Sequence, residues 1–244
     1  MPSSWTTLKP DAWTDALRKD KALADAGFVV KTITTADDML QHLRKTPDKR
    51  PFAVINPGGE LFYGTQKTEP EEVLDLIAAY IREGGIWWET GGYSFYTMAV
   101  KSEDETTDEP WRRRSVGPRG AARFGFRCYM FAVEDPPATL TPTDTGKTWL
   151  GNDRASRIAG QASGVQRPIA DSTDATVLVT GQDEPFVAGI RCDGWGWLWR
   201  LGGFNPVPAV ATEAVTGTLS YLANHPWPTP PGARQRRVWE VKIR

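Results

Sequence analysis

The sequence contains few of the residues that most often perform catalysis or bind metals. It has 2 cysteines and 2 histidines among its 244 residues. The cysteines, Cys128 and Cys192, have no spacing typical of a metal site. Because His42 and His225 are the only histidines in the sequence, no metal or other cofactor is expected. Both cysteines lie in apolar, strand-like segments, which favours buried free thiols, with a disulfide as the alternative.

The sequence also lacks a strong net charge and a long apolar run. Its formal net charge is -1, so no overall field favours nucleic acid or an anionic membrane as a partner. No apolar run approaches the roughly 20 residues of a membrane-spanning helix. Residues 1–10 lack the apolar centre of a signal peptide. The compartment stays open, because a secreted protein supplied without its signal would look the same.

Tryptophan, in contrast, is abundant, with 11 residues. Trp195, Trp197 and Trp199 alternate at strand spacing, so their side chains share one face. The pattern favours a face buried under helices. The alternative is an exposed platform on which sugar rings stack.

Apolar segments of strand length alternate with amphipathic helical segments through the first half of the chain. Residues 28–33, 51–56 and 86–89 have strand character, and the clearest helix follows a capping box formed by Thr68 and Glu71. Such alternation implies parallel strands with crossover helices, so the fold class is predicted as α/β, a three-layer αβα sandwich. Strand-rich segments after residue 124 predict an additional antiparallel portion in the second half.

The alternation breaks down over residues 101–123, where an acidic block precedes an arginine-rich block containing Arg112, Arg113 and Arg114. This segment is predicted as a long loop, either solvated or forming a lid over the strand ends whose arginines bind an anion. A helix is predicted before it, from Tyr93 to Val100. Residues 226–244 are predicted as a proline-rich C-terminal extension ending in a strand, and residues 1–244 as a single domain.

Four segments, in their order and spacing, resemble the class I glutamine amidotransferase-like superfamily. They are the strand and turn at residues 54–59, the helix end at 80–85, the strand and turn at 86–92, and the turn at 202–206. Within that superfamily, the likeness is to degenerate domains of carbohydrate metabolism, such as trehalose-utilisation-like and β-galactosidase trimerisation-like domains. The resemblance implies a flavodoxin-like, mostly parallel sheet with ligands at the carboxyl ends of its strands.

The resemblance also assigns the catalytic positions, and here they carry other residues. In active members, a cysteine on the turn after the strand that follows the Gly-Gly attacks the glutamine amide, and a late His-Pro-Glu turn activates it. This sequence has Thr90 or Gly91 at the first position and Asn205 and Val207 in the late turn. The resemblance therefore implies a scaffold without glutaminase chemistry. The early turn, which supplies oxyanion N–H groups in active members, is retained. Ligand-binding positions implied at this edge are Gly58, Gly59, Glu60, Thr90, Gly91, Gly92, Tyr93 and Asn205.

Two other sets of residues could support hydrolysis at this edge. Ser94 lies in a partial Gly-x-Ser-x-Gly pattern, but it falls inside the expected helix, and neither His42 nor His225 is well placed as its base. A capping or surface serine is therefore the favoured interpretation. Glu60 and Glu89 each follow or end a strand and would perform acid–base chemistry if they lie close together. The alternative is that Glu60 caps a turn or pairs with an arginine.

These observations favour a non-catalytic binding or interaction module, with a carbohydrate or protein partner, in a carbohydrate-active system. One alternative is a hydrolase that uses Glu60, Glu89 or Ser94. The other is an oligomerisation domain of a larger enzyme, acting as a homo-oligomer or as part of a longer chain. Superfamily members begin with a strand that becomes central in the sheet, so either residues 5–8 are that strand or the chain is a piece of a longer protein.

Overall fold

The computed structural model describes residues 10–46, 50–102, 111–126, 137–164, 169, 172, 174–192, 196–202, 208–227 and 239–243. The elements of the first half are α1 (Pro10–Lys19), α2 (Lys21–Asp25), β1 (Phe28–Thr32), α3 (Ala36–Arg44), β2 (Ala53–Asn56), β3 (Leu61–Gly64), α4 (Pro70–Arg82), β4 (Ile86–Thr90), β5 (Thr97–Lys101), β6 (Trp111–Ser115) and α5 (Arg119–Ala122). Those of the second half are β7 (Ala138–Pro142), α6 (Asp144–Leu150), α7 (Asn152–Ile158), β8 (Ala162–Ser163), β9 (Thr176–Gly181), β10 (Glu184–Cys192), β11 (Gly196–Leu201), α8 (Pro208–Asn224) and β12 (Trp239–Ile243).

The described strands form two sheets. The main sheet is nine-stranded and mixed, with the order β1-β12-β2-β4-β11-β10-β9-β7-β8, and the small sheet has the order β3-β5-β6. In the main sheet, β1, β12, β2, β4 and β11 run parallel to their neighbours. The sheet then continues antiparallel through β10, β9, β7 and β8. The predicted α/β class, with an antiparallel portion in the second half, is confirmed at this level.

Both faces of the main sheet are covered. Ile86 and Trp88 of β4 belong to a hydrophobic cluster that includes residues of α1, α2, α6, α7 and α8. Trp87, which lies between them, belongs to a second cluster with residues of α3, α4 and the small sheet. Successive strand residues point to opposite faces, and a parallel strand covered on both sides is therefore apolar at every position. This explains why β2 and β4 appear in the sequence as continuous apolar runs.

The C-terminal strand lies in the interior of the main sheet. Val241, Lys242 and Ile243 pair in parallel with β2, and all of β12 pairs in parallel with β1. The terminal strand predicted at the end of residues 226–244 is therefore present as β12, and it lies inside the main sheet. The resemblance placed an N-terminal strand in such a central position, but residues 5–8 lie outside the described ranges. β12 lies inside the sheet because its backbone pairs with both β1 and β2, although it comes last in the chain.

The helix predicted from Tyr93 to Val100 is also wrong. Residues 91–96 form a turn, and β5 begins at Thr97. Gly91, Gly92 and Phe95 have φ values of 72°, 58° and 55°, which a right-handed helix cannot contain. A bulky residue with positive φ is strained, and the surrounding packing has to hold it there. Phe95 is fully buried and its ring stacks on Phe124 with centroids 4.2 Å apart.

The segment predicted as a loop or lid contains regular structure where it is described. Residues 111–115 form β6, which pairs antiparallel with β5, and residues 119–122 form α5. A Cβ atom on Gly120 would lie 2.0 Å from the carbonyl oxygen of Phe95, so α5 packs directly on the turn. Residues 111–115 and 119–122 therefore form regular structure where a loop was predicted, while residues 103–110 lie outside the described ranges.

The clearest predicted helix is present, but it begins differently. The N-cap of α4 is Glu69, which makes no side-chain capping bond, and Pro70 follows it. Thr68 Oγ1 instead accepts from Thr65 N at 2.8 Å and donates to Thr65 O at 3.2 Å. In place of the predicted capping box, the Thr68 hydroxyl bonds to the backbone of Thr65 in the preceding turn. Pro70 supplies the helical φ at the first position of α4.

Candidate functional site

Three polar side chains lie side by side at the carboxyl ends of three adjacent parallel strands. The register pairs Asn56 of β2 with Glu89 of β4, and Glu89 with Arg200 of β11. Paired residues of neighbouring strands point to the same face of a sheet. All three side chains are buried, with relative exposures of 2%, 0% and 0%. We call Asn56, Glu89 and Arg200 the polar row.

Glu89 is the centre of the polar row. Its Oε1 accepts hydrogen bonds from Asn56 Nδ2 at 3.0 Å and from Trp87 Nε1 at 2.6 Å. Its Oε2 lies 3.7 Å from Arg200 Nη1 and has no hydrogen-bond partner among the described residues. Burial raises the pKa of Glu89 to about 7, against the lowering effects of Arg200, Asn56 and Trp87. The carboxyl group therefore changes charge near neutral pH.

Arg200 connects the polar row to the turn after β4. Its Nη1 donates to Gly91 O at 3.1 Å and its Nη2 donates to Gly92 O at 2.5 Å. These carbonyl groups would lose charged donors without the guanidinium, and buried polar groups without partners are costly. Arg200 thus has two neighbours to stabilise, a carboxyl group and a strained turn.

Asn56 organises the early glycine turn in the same way. Its Nδ2 donates to Leu61 O at 2.7 Å, and its Oδ1 accepts from Gly58 N at 3.1 Å. The resemblance implied that the N–H groups of Gly58 and Gly59 face an oxyanion. In the structure the Gly58 N–H donates to Asn56 Oδ1, and the oxyanion role of this turn stays a prediction. Gly59, with a φ of 65°, permits the chain reversal.

The early turn and the turn after β4 lie against each other. A Cβ atom on Gly92 would lie 2.8 Å from Glu60 N, and Thr90 Oγ1 donates to Asn56 O at 3.2 Å. The structure therefore brings together most of the positions implied at this edge: Gly58, Gly59, Glu60, Thr90, Gly91 and Gly92. Among these, Glu60 is half-buried and the others are buried.

Tyr93 and Asn205 complete the implied set. Tyr93 is half-buried, and its ring stacks on Tyr96 with centroids 4.8 Å apart. Asn205 and the rest of the late turn, residues 203–207, lie outside the described ranges. The structure therefore does not place the positions at which the resemblance expects a catalytic base and its orienting carboxylate.

Ser94 has no base within hydrogen-bond reach among the described residues. It lies in the turn rather than in a helix, is 1% exposed, and its Oγ has no hydrogen-bond partner among the described residues. His42 Nδ1 lies 2.7 Å from Asp38 O on α3, and His225 Nδ1 lies 2.9 Å from Tyr221 O at the end of α8. A serine nucleophile needs a base within hydrogen-bond reach, and neither histidine contacts Ser94.

Most of the arginine-rich block is engaged by α4. Arg119 Nη2 lies 3.2 Å from Glu71, and Arg123 forms an ion pair with Asp75. Arg114 lies 3.3 Å from Glu69 and also donates to backbone carbonyls, including Thr68 O at 3.1 Å. Of the predicted anion-binding arginines, Arg114 is therefore committed within the molecule, whereas Arg112 and Arg113 lie exposed on β6.

The tryptophan face of β11 is buried, as the favoured interpretation predicted. Trp197 and Trp199 are 6% and 0% exposed and pack against α6 and α8 in the first cluster. Trp88 stacks on Trp199 with centroids 5.6 Å apart. Trp195 lies outside the described ranges. Outside β12, the described tryptophans that are not buried are Trp111, Trp149 and Trp227, and each of these is half-buried.

A cleft of about 560 Å³ lies where α2 meets the start of α7, lined by Asp20, Lys21, Asp153 and Arg154 among others, and Arg154 lies 2.7 Å from Asp20 across it.

Within the described ranges, no group of three His, Cys, Asp or Glu side chains is close enough to hold a metal ion. Nor is any described helix long and apolar enough to cross a membrane. Cys192 is half-buried beside the second cluster, and Cys128 lies outside the described ranges.

The sequence interpretation missed Asn56 and Arg200. The signal for Arg200 was a single arginine inside the apolar run 197–201, a position at which a charge needs a buried partner. Its partner could not be named, because only the strand order places β11 beside β4.

No protein-family model matches the sequence, and no curated protein matches it. Among solved structures, the chain resembles a cold-adapted β-galactosidase from Rahnella sp. R3 with 14% identity and a TM-score of 0.46, covering 85% of this chain and 26% of that one. It resembles a cytoplasmic protein from Salmonella typhimurium LT2 with 11% identity and a TM-score of 0.47, covering 91% and 88%. A second cytoplasmic protein from Salmonella typhimurium matches with 12% identity and a TM-score of 0.40, covering 88% and 78%. The chain thus spans about a quarter of the β-galactosidase, and these identities and TM-scores assign neither a family nor an activity.

Proposed function

We propose that this chain is a non-catalytic glutamine amidotransferase-like domain with a three-layer, flavodoxin-like architecture, and that it acts as a binding or interaction module in a carbohydrate-active system. The carbohydrate setting derives from the sequence resemblance. The absence of catalysis is supported by the polar row. In this proposal, the strand ends that carry catalysis in active relatives hold the fold together instead.

The observation that carries the proposal is the environment of Glu89. It is 0% exposed and is held by Asn56, Trp87 and Arg200, while Arg200 also holds the carbonyl groups of Gly91 and Gly92. A catalytic carboxyl group must reach the atom that it protonates or attacks. Within the described part of the chain, the hydrogen-bond and ion-pair partners of Glu89 are Asn56, Trp87 and Arg200, which also stabilise the sheet and its turns, and this arrangement supports a structural ion pair.

A hydrolase is the second candidate, and one observation favours it. The pKa of Glu89 is raised to about 7, which suits a general acid or base near neutral pH. Buried structural pairs also shift pKa values, so the shift supports an enzyme only together with a residue-dependent activity.

Activity screening of three matched variants separates the two candidates. The wild type, Glu60→Gln, Glu89→Gln and the exposed-carboxylate control Glu72→Gln would be assayed against glutamine, glycosides, esters and peptides. We expect no activity above background that depends on Glu60 or Glu89. An activity retained in Glu72→Gln but lost in folded Glu89→Gln and Glu60→Gln, with a pH profile that breaks near pH 7 as the Glu89 pKa requires, would establish the hydrolase instead.

Binding experiments address the partner. Because the rings of Trp111, Trp149 and Trp227 are half-buried, Trp111→Ala, Trp149→Ala and Trp227→Ala are the variants to compare with wild type on a glycan array and by calorimetry. Loss of glycan affinity in one of them supports sugar stacking. Unchanged glycan affinity in all three variants would exclude sugar stacking on these three rings. Light scattering on the wild type tests the remaining alternative, an oligomerisation domain.

A further inference from the structure

The small sheet presents one exposed edge strand. β3 and β6 are its two edges, and β3 is buried at all four positions. β6 is exposed at Arg112, Arg113 and Ser115 and, within the described ranges, pairs on one side only, with β5. An edge strand with free backbone N–H and C=O groups is a template for pairing with another strand.

One backbone group of β1, an edge strand of the main sheet, is covered by a side chain. Arg18 Nη2 donates to Val30 O on β1 at 3.3 Å, which occupies a backbone acceptor of that strand. Side chains that cover or charge an edge are a common way of preventing strand pairing. No comparable contact to a backbone group of Arg112 or Arg113 is formed within the described ranges.

The charge that remains free on this face also lies on β6. Arg114, Arg119 and Arg123 pair with carboxylates of α4 or its N-cap. Arg112 and Arg113, in contrast, form no ion pair with any residue in the described part of the chain. The protein has a net charge of -1, so these two cations are a local feature and not part of a general positive field.

The geometry of these two arginines indicates the shape of their partner. Successive strand residues project to opposite faces, so Arg112, opposite Val100, and Arg113, opposite Ala99, lie on opposite faces of the small sheet. They cannot converge on one small anion such as phosphate. A strand that runs beside β6 also presents side chains on both faces, and consecutive acidic residues in it would meet one arginine each.

We propose that β6 binds an extended acidic segment of a partner protein by strand addition, with backbone hydrogen bonds along the edge and carboxylates paired to Arg112 and Arg113. A second copy of this chain fits less well. Antiparallel self-pairing centred on Arg113 places Arg113 opposite itself and Arg112 opposite Arg114, and like charges directly opposite destabilise a strand pair. The inference names a partner for the proposed interaction module and rests on that function.

A peptide with consecutive glutamates tests the inference. The probe is acetyl-Thr-Val-Glu-Glu-Val-Thr-amide, titrated into the wild-type protein while backbone amide signals are recorded by NMR. We expect saturable binding and slower hydrogen exchange at the amides of β6. The Gln-Gln analogue should bind roughly 2- to 30-fold more weakly, because it lacks the charges of two exposed ion pairs. An analogue with alternate N-methylated amides should bind at least roughly tenfold more weakly, because it lacks half of the backbone donors.

Two protein variants of equal net charge complete the experiment. Arg112→Glu/Arg113→Glu should weaken peptide binding by roughly tenfold or more, since two exposed ion pairs become repulsive. The control Lys19→Glu/Lys21→Glu, which changes exposed lysines of α1 and α2, should bind as the wild type does. Failure of the peptide to saturate, or equal affinity for the N-methylated analogue, overturns strand addition.

Two further probes distinguish other anions. Inorganic phosphate or single-stranded oligothymidylate that binds as tightly as the peptide, and loses affinity equally in the arginine variant, would overturn the inference in favour of a general anion site. A hydrolytic activity at Glu89 would refute the non-catalytic function without altering any of these titrations, so the two proposals fail separately.

Discussion

Glu89 is a carboxyl group on which burial and its neighbours act in opposite directions. Desolvation favours the neutral form, whereas Arg200 and the donors Asn56 and Trp87 favour the charged form. Desolvation is the larger effect, so the pKa rises to about 7 from 4.5. A folded state that holds a proton more tightly than the unfolded state is favoured at low pH.

This imbalance predicts a pH-dependent stability that disappears in Glu89→Gln. Between a pKa of 4.5 for the unfolded chain and about 7 for the folded one, the folded protein binds more protons, so its unfolding free energy falls as pH rises. At about 1.36 kcal/mol per pKa unit, the loss reaches roughly 3 kcal/mol. Denaturant unfolding at about pH 5 and about pH 8 measures it. An equal pH dependence in wild type and Glu89→Gln would contradict the prediction.

Arg200→Met should be the more damaging change at the same site. It leaves the Glu89 carboxylate without its cation and the carbonyls of Gly91 and Gly92 without their donors. Breaking one side of a buried pair costs about 3–5 kcal/mol. We expect the full cost above the Glu89 pKa and a smaller one below it, where Glu89 is neutral. The double variant Arg200→Met/Glu89→Gln should recover part of the loss in a double-mutant cycle, and strictly additive effects would argue against a direct pair.

At the scale of elements, the contact between α4 and β11 depends on the absence of a side chain. A Cβ atom on Gly196 would lie 1.9 Å from Ile81 O and 2.5 Å from Gly85 O, both of which are backbone atoms that cannot rotate away. Trp197 N donates to that same Gly85 O at 3.0 Å. The start of β11 and the end of α4 are therefore fitted to each other through backbone groups.

Gly196→Ala is accordingly predicted to separate these elements. Its matched control is Gly117→Ala, where no atom lies within 4 Å of the added Cβ but φ is 71°, so that only backbone strain of about 1–2 kcal/mol arises. Thermal and denaturant unfolding should show a larger loss for Gly196→Ala than for Gly117→Ala. A larger loss for Gly117→Ala would mean that the backbone around Gly196 accommodates a Cβ atom without loss of stability.

Elements differed in how well local sequence predicted them. The apolar periodicity of α4 and the continuous apolar runs of β2 and β4 identify these elements. A helix buried on one face has apolar residues at helical spacing, and a strand buried on both faces is apolar at every position. The turn at 91–96 was mistaken for a helix, because the positive φ of Phe95 follows from packing on Phe124 and not from local preference. At the candidate site, Glu89 was found from its place at a strand end, but its partner Arg200 depends on which strands become neighbours.

At the scale of the whole molecule, the parallel part of the main sheet closes around the C-terminal strand. β12 has β1 on one side and β2 on the other, so among the described strands β1 is joined to the rest of the main sheet only through β12. The sequence pattern identified a terminal strand but could not place it, since parallel pairing links residues from opposite ends of the chain. Such long-range pairing carries a loop-closure cost that local propensity does not reveal.

Ending the chain at residue 227 should therefore damage the whole fold and not only its C-terminus. Without β12, β2 becomes an open edge and β1 loses its five paired positions. Exposed, apolar edges of this kind promote aggregation. We expect the truncated chain to unfold at a lower temperature and to aggregate, and a synthetic peptide of residues 237–244 to restore stability in trans, whereas a scrambled peptide should not. The full-length variant Val241→Pro provides a milder version, because it removes a backbone donor in an interior strand and leaves an acceptor unpaired at a cost of about 1–3 kcal/mol. Wild-type unfolding temperatures in both the truncated chain and Val241→Pro would show that β12 is dispensable to the sheet.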